Sequence, residues 1–316
     1  MAAQAAHSLS RAGFSLALAV LASAAGAETL YKYRDSGGGW VYSDRMPTAA
    51  GHVRANEVAD AAEAEGIRLQ RGGDDSDGLV LEAVNELPVW VQIAFRAESA
   101  RNVDPQAPIS GNRLLAPRST TELIRLPPLE LGAPSEVEFS YQFILGHPGA
   151  RHRPAQPYRL PYQLTDAHRV AQAFPDTQTH SGLANRYAVD FEMPVGTGVF
   201  AARGGVVVEV AAEFVEAGFD LERDAARANF VRILHDDGTL ALYGHLDWRS
   251  VRVAPGQIVM RGERLADSGN TGYSFGPHLH FVVQRNRAGE VESVPIEFVA
   301  PGGALRPVTG DRPVAR

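Results

Sequence analysis

The sequence from residue 276 to residue 284 reads Gly-Pro-His-Leu-His-Phe-Val-Val-Gln. In a β-strand, successive side chains point to opposite faces, so His278 and His280 would share one face while Leu279 points to the other. The apolar run at 281–283 places the pair at the start of a buried strand. A lone His-x-His pair also fits the wet face of a strand, but unpartnered imidazoles are costly in a buried setting, which favours a shared cleft.

Similar β-like runs recur on both sides of this stretch. Helical periodicity is almost absent from the C-terminal half, apart from the charged segment 213–227. The predicted strands are Ala188–Glu192, Gly198–Ala202, Gly205–Ala211, Phe230–His235, Thr239–Tyr243 and His278–Gln284. The pattern predicts a mostly antiparallel β domain over residues 156–300, followed by a tail at 301–316.

The chain contains no cysteine, which removes both disulfides and thiolate metal ligands. A catalytic zinc site uses three protein ligands and leaves the fourth position for water, so here the ligands must be His and carboxylate. Besides the pair at 278 and 280, the candidates are His180, Asp190, His235 and His245, with His168 more distant. His235 precedes the turn signature Asp-Asp-Gly and is expected to face solvent.

Three motifs occur in order within this half of the chain. They are the segment from His180 to Ala202 with Tyr-Ala-Val-Asp-Phe at 187–191, Tyr-Gly-His-Leu at 243–246, and Gly-Asn-Thr-Gly at 269–272 followed by Gly-Pro-His-Leu-His-Phe at 276–281. Together they resemble the lysostaphin-type or LytM-type peptidases of family M23, over about residues 158–295. One departure is the nine residues between His180 and Asp190, where many members have three; the longer loop resembles a known variant.

The resemblance implies the antiparallel LytM-like fold, also called a duplicated hybrid motif. It also implies one Zn²⁺ per chain, bound by His180, Asp190 and His280, with His245 and His278 beside the open coordination position. Imidazoles that titrate near neutrality suit the proton transfers of peptide hydrolysis. We favour His278 as general base and His245 as the group that serves the oxyanion or the leaving amine, and an exchange of these roles stays open.

The function implied is that of an exported zinc metalloendopeptidase that cuts peptide bonds in peptidoglycan stem peptides or cross-links. Two alternatives stay open: a non-catalytic LytM-type regulator of another wall hydrolase, and a secreted peptidase that acts on proteins. Nothing in the motifs selects D-amino acids.

The N-terminal segment has the features of a signal peptide. Arg11 is followed by an apolar run and then by the small residues Ala-Gly-Ala at 25–27, which predicts cleavage near Glu28. No later run reaches the ~20 apolar residues that a transmembrane helix needs. We therefore expect an exported protein without a transmembrane segment, in the periplasm or outside the cell.

Residues 28–155 predict three further parts. Residues 28–50 contain two aromatic runs on either side of a glycine turn, a pattern that predicts a β-hairpin. This segment resembles the DUF4124 module. Residues 51–77 are expected to be a linker, and residues 78–155 a β-sandwich-like accessory domain with Trp90 in its core. His147 and His152, in a proline-rich connector, are expected at the surface. This N-terminal region could bind wall-synthesis or hydrolase partners.

The charge balance bears on partners. The formal net charge is −7, whereas nucleic-acid binding calls for a basic face. The composition thus argues against a nucleic-acid partner. Peptidoglycan is the partner that the family resemblance implies.

Overall fold

The computed structural model describes residues 31–34, 40–43, 52–54, 66–72, 78–107, 109–176, 178–180 and 182–315. Within these ranges nearly all regular structure is β-strand, and the helical part is one short α-helix followed by one 3₁₀ turn. None of the described helices is long and apolar enough to cross a membrane. The predicted signal peptide at residues 1–27 lies outside the described residues.

The predicted aromatic hairpin is present. Strands β1 (Tyr31–Arg34) and β2 (Trp40–Ser43) pair antiparallel, with Tyr31 opposite Ser43. The alternation of aromatic and polar residues on either side of the glycines thus produced the expected pairing.

Seven strands form the accessory domain. In chain order they are β3 (His52–Arg54), β4 (Ile67–Gly72), β5 (Leu79–Asn85), β6 (Val91–Arg101), β7 (Ser110–Leu115), β8 (Ser119–Leu126) and β9 (Glu136–Leu145). One antiparallel sheet has the order β3-β9-β6-β7 and the other the order β4-β5-β8. Their inner faces share one apolar core, in which Val137, Phe139 and Tyr141 alternate with outward polar residues as predicted. The domain is a small β-sandwich.

The linker predicted at 51–77 is corrected by two of these strands. β3 joins the first sheet, and β4 contributes Ile67 and Leu69, which are 0% and 2% exposed, to the core. The alternation Ile-Arg-Leu-Gln at 67–70 was hidden between Ala- and Glu-rich residues and an Asp- and Gly-rich turn.

Trp90 was predicted in the core and is instead 38% exposed. Its neighbours Val89 and Val91 both point inward, so the alternation of the strand sends the indole outward. There it packs edge-on against the ring of His147, with centroids 5.3 Å apart.

The C-terminal domain is built on one large sheet. Its strands in chain order are β10 (Val170–Ala173), β11 (Val189–Glu192), β12 (Gly198–Phe200), β13 (Gly205–Ala211), β14 (Ala217–Gly218), β15 (Phe230–Leu234), β16 (Leu240–Gly244), β17 (Ile258–Val259), β18 (Arg264–Asp267), β19 (Gly272–Tyr273), β20 (His278–Arg287), β21 (Glu290–Ser293), β22 (Phe298–Ala300) and β23 (Gly303–Leu305). The large sheet runs β10-β11-β20-β16-β15-β13-β17, and β21 extends the far end of β20. Strand β20 lies at its centre, as the apolar run at 281–283 predicts.

One face of this sheet packs into an aromatic core. The largest fully buried side chains there are Tyr158, Tyr162, Phe191, Tyr243, Phe281 and Phe298. Elsewhere on the sheet, Val208 and Leu240 belong to the apolar core of the sandwich, and the Asn286 amide donates to Gln92 Oε1 at 3.0 Å. The two domains therefore share apolar and polar contacts.

The charged segment at 213–227 contains less helix than its pattern predicts. Only α1 (Leu221–Asp224) and the 3₁₀ turn Ala225–Arg227 are helical, and Asp220 caps α1 by accepting from the backbone N–H of Arg223. The segment begins with β14, which pairs in parallel with β19.

The predicted tail at 301–316 is packed against the domain over its described residues. Strands β22 and β23 form a hairpin, and Ala315 is 1% exposed. The chain then follows β10: Val170 N–H donates to Asp311 O at 2.8 Å, and Gly310 N–H donates to Val170 O at 2.9 Å. The C-terminal segment thus covers the outer edge of the large sheet.

Candidate metal centre

The register of β11 against β20 brings the first two site residues together. Asp190 lies directly opposite His280, and Glu192 lies opposite His278. Cross-strand partners share a face, so the carboxylate and both imidazoles point the same way while Leu279 is buried on the other side. His280 Nδ1 lies 2.9 Å from Asp190 Oδ1, and His278 Nε2 lies 4.0 Å from Asp190 Oδ2.

His180 reaches the same carboxylate from the loop before β11. Its Nε2 lies 3.1 Å from Asp190 Oδ2, and its side chain is 3% exposed. The described residues of the segment between them, 182–189, are anchored to the sheet through their backbone. The carbonyl of Leu183 accepts from Ser293, and the carbonyl of Ala184 accepts from Gln284. The longer spacing therefore still returns His180 to Asp190.

His245 follows directly after β16 and adopts a left-handed backbone conformation, with φ of +58°. This conformation is uncommon for a residue with a Cβ and aims the imidazole into the cleft. The ring Nδ1 lies 2.7 Å from the carbonyl oxygen of Thr271. A Cβ on Gly269 would stand 2.5 Å from Asp247 N, so glycine permits the close approach of the 269–272 segment to this turn.

His278 lies beside His245, with ring centroids 4.4 Å apart. Its Nδ1 lies 2.8 Å from the carbonyl oxygen of Gly276 and 3.3 Å from Ser274 Oγ. A carbonyl can only accept, so Nδ1 carries the proton in both His245 and His278, and each presents Nε2 to the cleft.

The electrostatics of the site centre on one buried carboxylate. Burial opposes ionisation of Asp190, but hydrogen bonds with His180 and His280 outweigh it and hold the pKa of that carboxyl well below its usual range. Burial lowers the pKa of His280, and burial together with the neighbouring imidazoles lowers the pKa of His245 to about 3. An anionic carboxylate beside imidazoles whose pKa is lowered, those of His245 and His280, is the charge pattern of a cation site.

The donor set fits a zinc ion. One ligand atom each from His180, Asp190 and His280 lies within 4.8 Å of the others, and all three residues are buried. Two imidazoles and one carboxylate form the type of three-ligand set that catalytic zinc sites use. Within the described part of the chain, the ion-pair partners of Asp190 are all histidines. No Arg or Lys in that part takes the place of a metal ion at this carboxylate.

The five residues lie in a cleft with a volume of about 680 Å³. Tyr273, Ser274 and Phe275 line one side of it. Another part is lined by Leu221 from α1 and by Ala225 from the 3₁₀ turn that follows. Beside its mouth, Phe219 and Phe275 stack with centroids 5.6 Å apart and are 72% and 67% exposed. The site is therefore open to a ligand from solvent and has an aromatic rim.

Comparison with known proteins identifies this half of the chain. Residues 184–292 match the model of Peptidase family M23, a range that contains four of the five site residues and begins just after His180. We call the C-terminal domain, most of whose strands lie within this match, the M23 domain. Residues 16–65 match DUF4124, a domain of unknown function, in agreement with the resemblance of the aromatic hairpin.

Relatives of the M23 domain include wall-degrading enzymes. The chain is 34% identical over 124 residues to peptidoglycan DD-endopeptidase ShyA of Vibrio cholerae, which covers 38% of this chain and 26% of that protein. It is 35% identical over 121 residues to glycyl-glycine endopeptidase ALE-1 of Staphylococcus capitis, covering 38% and 30%. The chain thus spans between a quarter and a third of these relatives' lengths. A solved catalytic domain of lysostaphin from Staphylococcus simulans is 26% identical, covering 46% of this chain and 89% of that one, with a TM-score of 0.27.

The other candidate histidines lie away from the centre of the M23 domain. His235 was expected to face solvent, but it is 2% exposed, with Nδ1 bonded to the carbonyl oxygen of Gly204 at 2.9 Å. The turn predicted at 236–238 forms, while His235 itself, directly after β15, points into the domain. His152 stacks on Tyr158, and His168 contacts Tyr162 edge-on.

We call the group around His235 the His235 cluster: His235, His152, Tyr158, Arg203 and Asp237. Arg203 donates to Asp237 Oδ2 at 2.8 Å and also pairs with Asp236. The ring of Tyr158 contacts both histidines of this cluster, and its centroid lies 5.9 Å from the ring centroid of His152 and of His235. We call His180, Asp190, His245, His278 and His280 the Asp190 cluster.

Several residues of the site were not predicted from the sequence. They are Gln172, Thr271, Ser274, Phe219 and Phe275. Thr271 and Ser274 lie within or beside the Gly-Asn-Thr-Gly motif, so that motif could have pointed to them. Gln172 lies in a four-residue strand eighteen residues before Asp190, and no local pattern connects the two.

Proposed function

We propose that this chain is an exported zinc metalloendopeptidase that hydrolyses peptide bonds in peptidoglycan stem peptides or cross-links. The observation that carries the proposal is the convergence of His180, Asp190 and His280 on one point at the floor of an open cleft. His245 and His278 stand beside that point. The relatives named as peptidoglycan and glycyl-glycine endopeptidases support the substrate class, and they also support a location outside the cytoplasm.

His180, Asp190 and His280 would hold the zinc ion. When bound, zinc lowers the pKa of a coordinated water and polarises a scissile carbonyl. The ligand set carries one negative charge, because both imidazoles are neutral, so the bound centre keeps a net positive charge that favours both effects.

His278 is proposed as the general base. Its Nδ1–H is fixed on the carbonyl of Gly276, so the Nε2 lone pair faces the cleft and can accept a proton there. The Asp190 carboxylate, 4.0 Å from Nε2, stabilises the imidazolium that results.

His245 is proposed to assist at the oxyanion or the departing amine. Its ring is fixed by Thr271 and lies against the ring of His278, so both imidazoles can reach the same reacting bond. His278 Nε2, which accepts the proton of the attacking water, can later donate that proton to the departing amine. His245 Nε2 would act as a donor to the oxyanion or the amine once it carries a proton.

The test is hydrolysis of purified sacculi by the full chain, with zinc content measured on the same preparation. We expect about one zinc per chain, and released peptides whose masses identify the bond cut. His280→Ala should lose both zinc and peptide release. Casein is digested in parallel; cleavage of casein with intact sacculi would contradict the substrate class, and absence of zinc and of released peptides would contradict the enzyme.

A further inference from the structure

Among the described residues of the cleft, Gln172 is a residue outside the ligand set whose side chain contacts the non-coordinating nitrogen of a proposed metal ligand, His180. It lies on β10 directly opposite Asp190, although the two strands are offset by a bulge at this point. Its side chain is 8% exposed and lines the same cleft. Cross-strand partners share a face, so the amide lies next to the carboxylate that His180 and His280 contact.

The amide contacts the His180 segment at four points. In the orientation that pairs every donor with an acceptor, its oxygen accepts from the backbone N–H of Thr179 and of His180, each at 3.1 Å, and from His180 Nδ1 at 3.3 Å. Its NH₂ group donates to Thr179 Oγ1 at 2.9 Å. Two backbone N–H groups face one end of the amide, so that end must be the oxygen.

This contact selects the tautomer of His180. Without zinc, His180 Nε2 can hydrogen-bond to Asp190 Oδ2, 3.1 Å away; with the proton on Nδ1, the Nε2 lone pair points at that oxygen instead. Two acceptors at that distance need a cation between them, and a zinc ion supplies it. The other ring nitrogen of a zinc-bound histidine characteristically donates to an oxygen, which orients the ring and raises its basicity.

His245 and His278 also have their Nδ1–H groups fixed by oxygen acceptors, but these are the backbone carbonyls of Thr271 and Gly276. Gln172 differs because its oxygen belongs to a side chain and can be removed by substitution. The same amide also holds two backbone N–H groups of the segment that carries His180. The long loop before Asp190 is thus anchored at its start as well as at Leu183 and Ala184.

We propose that Gln172 is a positioning residue of the zinc site, which fixes His180 with Nδ1–H on the amide oxygen and Nε2 toward the metal. The inference rests on the zinc site proposed above. It predicts that metal affinity depends on an acceptor at position 172.

The experiment measures zinc affinity of the full chain by competition with a chelator, using Zn²⁺ alone as the probe. Gln172→Met keeps the length of the side chain and removes the acceptor, so zinc affinity should fall about 10- to 100-fold. Gln172→Glu keeps an acceptor oxygen and should retain most of the affinity. In ¹⁵N spectra of the zinc-loaded chain, the Nδ1–H of His180 should exchange faster with water in Gln172→Met and stay protected in Gln172→Glu.

The matched control is Asn286→Leu, which removes a buried amide, 1% exposed, from the far end of β20. It should lower the melting temperature without changing zinc affinity. Wild-type affinity in Gln172→Met, or an equal loss in Asn286→Leu, would overturn the positioning role while leaving the proposed function intact. A wild-type chain that binds no zinc would overturn the proposed function, and the positioning role with it.

Discussion

The Asp190 cluster and the His235 cluster are both groups of histidines with a largely buried carboxylate in one domain, and they balance charge differently. Asp237 is paired with the guanidinium of Arg203 and accepts from Thr239, so its negative charge is neutralised within the protein. Asp190 contacts imidazoles only, within the described part of the chain. The comparison indicates that a buried carboxylate without a guanidinium partner marks the place for an external cation.

The largest expected effect comes from removing the negative charge of Asp190, which no guanidinium in the described part of the chain neutralises. Asp190→Asn keeps the shape of the side chain but leaves the centre without its anion, so zinc retention and peptide release should both be abolished. Zinc content by mass spectrometry and sacculus digestion measure the two losses. Full zinc occupancy in this variant would contradict the ligand assignment.

Next in size is the loss of the imidazoles that do not bind the metal. His278→Ala and His245→Ala should each lower kcat by about 10²- to 10⁴-fold, because proton transfer is lost while the ligands remain. Zinc content should stay at the wild-type level. Loss of zinc in either variant would place that histidine among the ligands instead.

The matched substitution in the other cluster should affect folding alone. Asp237→Asn leaves Arg203 with the exposed Asp236 as its remaining acidic partner, and the free energy of unfolding should fall by about 2 kcal/mol. Denaturant titration measures this, and zinc affinity serves as the control. A drop in zinc affinity comparable to that of Asp190→Asn would remove the distinction between the clusters.

His235 gives a prediction about pH. Burial and the charge of Arg203 lower its pKa, the hydrogen bond with Gly204 and the charges of Asp236 and Asp237 raise it, and the net pKa of about 4 lies below the ordinary histidine value of 6.5. The unfolded chain therefore binds a proton first as pH falls, so stability is complete above pH 6.5 and is lost between 6.5 and about 4. That loss amounts to at most about 3 kcal/mol.

The measurement compares wild type with His235→Leu by denaturant titration across this range. The difference between the two chains cancels the titration of the site histidines. The advantage of the wild type should shrink on acidification, and parallel curves for the two chains would contradict a buried neutral His235.

The smallest expected effect concerns the access of substrate from solvent, which also differs between the two clusters. Phe275 is exposed beside the mouth of the cleft, whereas the His235 cluster has no such aromatic rim among the described residues. Phe275→Ser should raise KM for wall peptides by a few-fold, equivalent to about 1 kcal/mol, with kcat little changed. An unchanged KM would exclude the rim from substrate contact.

The sequence was sufficient for the local parts of the site. Side-chain alternation predicted that His278 and His280 share a face, and strands β11, β13, β15, β16 and β20 begin at or next to their predicted first residues. Strands β10, β17 and β21 of the same sheet were not predicted. The ligand set followed only from resemblance to a family. Asp190 and His280 lie close together only because of the register of β11 with β20, and the spacing of residues in the sequence does not specify that register.

The errors have physical causes of the same kind. His235 follows a strand and precedes a turn, and whether such a residue points inward depends on packing by Tyr158 and Gly204, which are distant in sequence. Trp90 lies between two inward valines. Gln172 could not be found because its partners, Thr179 and His180, meet it only after the chain has folded back.

The C-terminal segment that follows β10 has a consequence for solubility. An uncovered edge strand offers unpaired N–H and C=O groups to another copy of the chain, and such edges are sites of aggregation. Here Asp311 and Gly310 occupy the backbone groups of Val170, and Thr309 Oγ1 accepts from Ala173 N–H. A chain shortened before residue 309 would expose the edge two residues from Gln172, so self-association and a weakened metal centre should arise together.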